Sequence, residues 1–253
     1  MKNNRRIAAI IQARTGSTRF PNKVFAKLSN KPLIWHVFDR LKYSKLLNLI
    51  VLATTENNCD DSLVSWAVEN NIYCFRGDEN DVLSRYYHCA KEINADVIVR
   101  ITADDPFKDP EIIDLAIKDF IELGLNFISN NNPPSFPEGL DVEVFDFKSL
   151  EIAYNTSVSQ FEREHVTQFF YKNSEMFKMK NLINLENLSN LRWTIDTEKD
   201  YLMVKKIYEN LYDEERIFLF KDIMNFLSKF PEISLINSNE IRSSMYVNSN
   251  LNN

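Results

Sequence analysis

Three cationic side chains fall within one short stretch of this chain. The segment from Gln12 to Lys23 (QARTGSTRFPNK) carries Arg14, Arg19 and Lys23, one small flexible position at Gly16, and hydroxyls at Thr15, Ser17 and Thr18. Backbone amides and hydroxyls of such a loop can wrap phosphate oxygens, and arginines can clamp them bidentately. A solvated basic turn is the plainer reading. The loop is neither a G-x-x-x-x-G-K-[ST] phosphate loop nor a G-x-G-x-x-G dinucleotide fingerprint, which argues against P-loop ATPases and Rossmann dehydrogenases. A second stretch, Arg100 to Phe107 (RITADDPF), places Asp104 and Asp105 just after a β-rich run. Adjacent carboxylates at a strand end suit Mg²⁺. The two point in different directions, so Asp104 is the metal candidate and Asp105 a cap of the next turn. A third stretch, Leu191 to Asp200 (LRWTIDTEKD), ends its β-rich part at Asp196. Alone, Asp196 reads as a helix cap; with Asp104 it would complete a two-carboxylate Mg²⁺ site that also uses triphosphate oxygens.

The elements that must position these groups alternate. Strands are expected at 7–12, 49–53, 73–75, 97–102 and 127–129. Helices are expected at 32–44, 60–70, 81–93 and 110–123, the third capped by Asp81 and the second by Asp60 or Asp61. Pro110 at its start and Gly124 just past its end frame the fourth helix. Buried strands alternating with helices imply an α/β fold with a mostly parallel sheet. Ligands of such sheets sit beyond the carboxyl ends of the strands, here just after Gln12, Ala53, Phe75 and Thr102. The second half is less regular, with strands at 140–145 and 192–195 and helices at 149–155, 162–173, 197–211 and 218–229. The polar tail from about 238 to 253 reads as flexible.

The 253 residues, 44% of them hydrophobic, suit a single domain over 1–237 with no need of a staple. Cys59, Cys74 and Cys89 are far apart and read as reduced structural thiols; His36 and His88 are assigned no role. No apolar run is long enough for a membrane helix, and Ile7–Ile11 is too short for a signal core, so the chain reads as cytoplasmic. The net charge of −6 argues against general nucleic-acid binding. Yet residues 1–38 hold eight basic side chains and no acidic one, which points to a local site for a compact polyanion.

Taken together, IIQARTGSTRFPNK, ENDVLSRYY, RITADDP, FPEGLDVEVF, FEREHVT and LRWTIDTEKD resemble the sugar-activating cytidylyltransferase family, in the branch typified by the spore coat polysaccharide protein SpsF. More distantly the chain is similar to the enzyme that makes CMP-KDO. The resemblance spans about residues 6–210 and implies a Rossmann-like fold of the nucleotide-diphospho-sugar transferase type. A nucleotide-binding part would cover about 6–130, and a small acceptor-binding lobe about 131–215. It implies an Mg²⁺-dependent nucleotidyltransferase that passes CMP from CTP to a sugar acid or sugar phosphate, with loss of pyrophosphate, for surface polysaccharide or glycoconjugate synthesis. Arg14, Lys23 and Asp104 would be catalytic. Gln12, Ala13, Arg14, Gly16, Ser17, Arg19, Lys23, Thr54, Asp81, Arg85 and Thr102 would bind nucleotide, and Asp104 and Asp196 the metal. Glu138, Asp141, Glu143, Arg163 and His165 would grip the acceptor, with His165 as base if a hydroxyl attacks and Arg163 paired with an acceptor carboxylate or phosphate. A homodimer through an apolar patch in residues 140–190 is expected.

Three positions depart from the family pattern. Ala103 stands for a glycine, Asp105 for a non-acidic residue, and Asn22 for a glycine whose left-handed geometry asparagine tolerates. The competing classes are a glycosyltransferase with a nucleotide-sugar donor, for which so cationic a loop is excessive, and a non-catalytic nucleotide-binding paralogue.

Overall fold

The computed structural model describes residues 5–241. Of the tail expected over 238–253, residues 242–253 lie outside that range; Glu240 pairs with Lys199 at 3.3 Å. In chain order the elements are β1 (Ile7–Gln12), β2 (Lys27–Leu28), β3 (Lys31–Pro32), α1 (Leu33–Leu41), β4 (Leu49–Thr55), α2 (Asp61–Glu69), β5 (Cys74–Gly77), α3 (Val82–Glu92), β6 (Val97–Thr102), α4 (Pro110–Glu122), β7 (Phe127–Ser129), β8 (Glu143–Asp146), α5 (Phe147–Thr156), α6 (Gln160–His165), α7 (Gln168–Lys172), β9 (Met179–Asn181), α8 (Glu198–Leu211), α9 (Phe220–Lys229) and α10 (Pro231–Ser234).

Seven strands form one sheet in the order β5-β4-β1-β6-β8-β7-β9, and β2 and β3 make a separate small hairpin. β5, β4, β1 and β6 run parallel. β8 runs antiparallel to both β6 and β7. Gln12, Thr102 and Thr55 therefore end at one sheet edge, and the reversal brings the start of β8 to that edge too, with Glu143 opposite Arg100.

Both faces of the sheet are covered, which is why its central strands are continuous apolar runs. Ile7, Ala9 and Ile11 of β1 pack with α1, α2, α4, α8 and α9; Ala8 and Ile10 pack with α3, α5 and α7. Strand alternation then decides which side chains at the edge face α3. Gln12 continues the row of Ala8 and Ile10, and Arg100 and Thr102 continue the row of Ile98.

Several expectations are corrected here. The strand expected at 192–195 is a single bridge between Arg192 and Glu138. The strand expected from 140 begins at Glu143, which leaves Asp141 outside it. The helix expected over 162–173 breaks at Val166, where φ is 53° and ψ −67°. Positive φ is unusual for a β-branched residue, and here it makes a tight turn in which Thr167 N donates to the His165 carbonyl. Asp60 and Asp61 do not cap α2 with a side chain, whereas Asp81 caps α3 by accepting from Ser84 N at 2.9 Å.

Candidate active site

A cleft of about 370 Å³ opens at the sheet edge where the parallel strands end. Gln12, Ala13, Arg14, Ser17, Arg19, Lys23, Arg85, Thr102, Asp104, Glu138, Asp141, Glu143, His165 and Asp196 all line it. These residues span nearly two hundred positions of sequence.

The floor of the cleft is a charge cluster. Lys23 Nζ donates to Asp104 Oδ2 at 2.8 Å, to Asp196 Oδ1 at 2.7 Å and to the Ile195 carbonyl at 2.9 Å. The backbone brings the two carboxylates together, because Ile195 N donates to the Asp104 carbonyl at 2.9 Å. Burial works to lower the Lys23 pKa, but the attraction of Asp104 and Asp196 overrides it and the ammonium is held charged. Burial likewise opposes ionisation of Asp104, and Lys23 overrides it, leaving the carboxyl at about 2. Two carboxylate oxygens from different segments converging on one cation are hard donors suited to a divalent ion of the Mg²⁺ type. Among the described residues no group of three or more His, Cys, Asp or Glu is arranged to hold a metal. Further ligands would therefore come from substrate phosphates and water, as is usual for Mg²⁺.

The basic loop is pinned from behind. Asp60, 1% exposed, accepts from Thr15 N and Thr15 Oγ1, each at 2.7 Å, and from Thr55 Oγ1. Arg14 reaches Glu79 at 3.0 Å, and Arg19 reaches Asp196 at 3.1 Å; both guanidinium side chains stay more than half-way or half-way exposed, so they remain available to a ligand. Asn22 takes φ 55°, the left-handed geometry that the replaced glycine would supply. Gly16 needs no such freedom, and a methyl there would meet nothing within 4 Å.

On the α3 side, Arg85 is 3% exposed and borders the cleft. It lies against Gly77, whose missing side chain makes the room: a Cβ there would sit 3.2 Å from Arg85 Cγ. Arg85 Nη1 donates to the Asp78 carbonyl, but its buried Nε, like the buried Oε1 of Gln12, has no hydrogen-bond partner. Burial lowers the Arg85 pKa.

The far wall differs from expectation. Arg100 holds Glu143 at 2.6 Å, and Tyr171 Oη also donates to Glu143 at 3.2 Å. Glu138 is buried and bound by Arg192 Nη1 at 2.7 Å. Arg192 further holds Asp200 at 2.9 Å and Asp196 at 3.0 Å. Gly139 lets the two chain segments close: its φ is +102°, and a Cβ would lie 2.8 Å from the backbone of Trp193 and Thr194. His165 lines the cleft half-buried, and burial lowers its pKa, so the ring is neutral at neutral pH.

Four expected residues lie elsewhere. Thr54 is buried on the opposite face of β4, in the alternation shared with Leu52. Asp81 and Arg163 are spent on each other at 2.7 Å, with Arg163 also donating to the carbonyls of Tyr154 and Ser157. Gly16 does not border the cleft. Asp105, in contrast, gains an account: it is buried, bound by Lys108 at 2.8 Å and by the Thr102 hydroxyl at 2.6 Å. Burial pushes it up to about 6. Ala103 is 3% exposed, packs into the core and borders the cleft, and it takes no positive φ that would require a glycine there. Asp60, Lys108, Arg192 and Asp200 are the residues that sequence reasoning missed; Asp60 was visible only as a helix-start aspartate.

Comparison with known proteins follows the same lines. The family model described as Cytidylyltransferase matches residues 8–246. An uncharacterised protein of Methanocaldococcus jannaschii is 39% identical over 95% of this chain and 98% of its own. The spore coat polysaccharide biosynthesis protein SpsF of Bacillus subtilis is 31% identical over 80% of this chain and 86% of its own. The solved structure of a cytidylyltransferase from Leptospira borgpetersenii superposes with a TM-score of 0.87 at 33% identity, over 94% of this chain and 99% of that one.

Proposed function

Because the chain belongs to the cytidylyltransferase family, and is thus a nucleotidyltransferase, we propose that it moves CMP from CTP to the hydroxyl of a sugar acid in the making of a surface glycan. The observation that carries this reading is the convergence of Lys23, Asp104 and Asp196 beneath the Arg14–Arg19 loop. A triphosphate needs several cations and a hard-metal site at one point, and this cleft offers both at the carboxyl edge of the sheet.

In this reading Arg14, Arg19 and Lys23 take the phosphates, and Asp60 holds their loop in place. Asp104 and Asp196 would hold Mg²⁺, which when bound neutralises charge on the phosphate oxygens. The unpaired Arg85 Nε–H and the Gln12 amide would meet the base edge; cytosine offers acceptors at O2 and N3 and a donor at N4. The acceptor hydroxyl attacks the α-phosphorus, its proton passes to His165, and the bond to the β-phosphate oxygen breaks with release of pyrophosphate. Hydroxyl attack is favoured over phosphate attack by His165, a neutral ring at the cleft wall able to take the hydroxyl's proton, which a phosphate nucleophile does not need. Exposed Val158, Phe161, Met176 and Leu185 supply the apolar surface on which a second copy would pack, and a monomeric mass in solution would remove that part.

The test is pyrophosphate release with Mg²⁺, using CTP, UTP, GTP and ATP against a panel of sugar acids and sugar phosphates. Release with CTP and a sugar acid supports the reading. Release only with sugar phosphates replaces the hydroxyl mechanism. Tight CTP binding with no release from any acceptor favours a binding paralogue.

A further inference from the structure

The ammonium of Lys23 has three protons, and all three are committed: one to Asp104, one to Asp196 and one to the Ile195 carbonyl. In this arrangement it has no donor left for a phosphate. The Lys23 ammonium sits between Asp104 Oδ2 and Asp196 Oδ1, at the point from which one divalent cation would bridge the two carboxylates. The second oxygen of Asp196 is taken as well, by Arg19 at 3.1 Å and Arg192 at 3.0 Å. Lys23 therefore cannot clamp a triphosphate while it bridges the carboxylates, and a divalent ion that would bridge them must displace its like charge.

The three cations around Asp196 are not alike. Arg192 is buried and pinned by Glu138 and Asp200, so it cannot leave. Arg19 is 57% exposed, and Lys23 sits on a flexible four-carbon stem at the exit of the phosphate loop. Only these two can change partner. An incoming metal–triphosphate complex offers both replacements together: phosphate oxygens for the ammonium and a divalent cation for the carboxylates. Neither free metal nor free triphosphate offers both.

We propose that Lys23 is a built-in stand-in cation, which keeps Asp104 and Asp196 together and closed to divalent ions until a metal–triphosphate complex arrives, and then moves from the carboxylates to the phosphates. The proposal rests on the nucleotidyltransferase reading above and adds an order to it: the free protein takes the metal only with its nucleotide.

Mn²⁺ serves as the probe, with free ion read by electron paramagnetic resonance. The wild type should bind Mn²⁺ weakly alone and tightly with CTP. Lys23→Met removes the competing charge a few ångströms from the ion, so without nucleotide it should bind Mn²⁺ at least about tenfold tighter than wild type. Its affinity for Mn²⁺–CTP should fall at the same time. Adding Asp104→Asn to Lys23→Met should abolish the gain. Equal Mn²⁺ affinity in wild type and Lys23→Met without CTP overturns the proposal. Lys23→Gln replaces the methionine variant if that fails to fold. A wild type that binds Mn²⁺ as tightly alone as with CTP overturns it without any variant. Pyrophosphate release by the wild type is followed in parallel: release without the metal gain in Lys23→Met defeats the exchange alone, and the metal gain without wild-type release defeats the enzymatic reading alone.

Discussion

Asp196 belongs to two cation-centred clusters that differ in kind. Around the Arg192 guanidinium the carboxylate partners besides Asp196 are Glu138 and Asp200, both buried, and Asn237 ties Asp200 to the Arg192 carbonyl. Around Lys23 the partners are Asp104 and Asp196 at the cleft floor, where Asp104 keeps 27% of its side chain exposed. The first cluster is closed on itself: Asp200 both takes the Arg192 fork and caps α8 through the backbone amides of Asp196 and Thr197. The second presents its charges to whatever enters. A fixed guanidinium fork suits the closed cluster and a swinging ammonium suits the open one. The two clusters meet in one aspartate, whose Oδ1 takes Lys23 and whose Oδ2 is shared by Arg192 and Arg19.

That contrast can be broken from either side. The largest effect is expected from Arg192→Met, which strands Glu138 and Asp200 as buried uncompensated carboxylates and should cost about 3–5 kcal/mol in urea unfolding. Loss of less than that would mean the cluster is not closed. Asp104→Asn should act oppositely: about 10³-fold slower pyrophosphate release, with a smaller drop in melting temperature than Arg192→Met. A variant as unstable as Arg192→Met would erase the distinction.

Acid titration sharpens it. Asp104 is lowered from 3.8 to about 2 in the folded state. A carboxyl depressed by folding stabilises above its unfolded pKa and stops doing so as pH falls through its folded one. Its contribution, on the order of 2 kcal/mol, should thus be present above pH 4 and vanish toward pH 2. The stability gap between wild type and Lys23→Met, followed by chemical unfolding, should shrink over that window; a gap that stays constant would show that Lys23 does not hold Asp104 ionised. The smallest effect is expected from Asp60→Asn, which weakens the anchoring of Thr15 and should raise the KM for triphosphate about tenfold with little change in kcat. A fall in kcat alone would place Asp60 in another role.

The open cluster was the more legible of the two in sequence. Arg14, Arg19 and Lys23 fall in one segment after a buried strand, so their joint presence at a strand end follows from local order. Asp104 and Asp196 end β-rich runs and were readable for the same reason. The closed cluster joins residues 54 apart in sequence, and only the tertiary path over Gly139 pairs Glu138 with Arg192. Thr54 was misplaced because LIVLA is apolar throughout and two threonines follow it, which leaves no alternation from which to read the side chain's face. The break at Val166 carries no glycine or proline signal, so a helical pattern ran through it unmarked. Arg163 looked available because its partner, Asp81, lies 82 residues away and already had a capping role.

The reversal of direction at β8 has an engineering consequence. The four parallel strands, of which β1 and β6 lead into the basic loop and Asp104, reach the cleft with their ends, whereas β8 reaches it with its beginning, after the long connection 130–142. That connection is not exchangeable as a whole, because it carries Glu138 and Gly139, which hold the Arg192 segment, and the buried Phe136, Leu140 and Val142. An exchange confined to its exposed tip, Asn132 and Pro133, would leave Glu138, Gly139 and the Arg100–Glu143 pair in place.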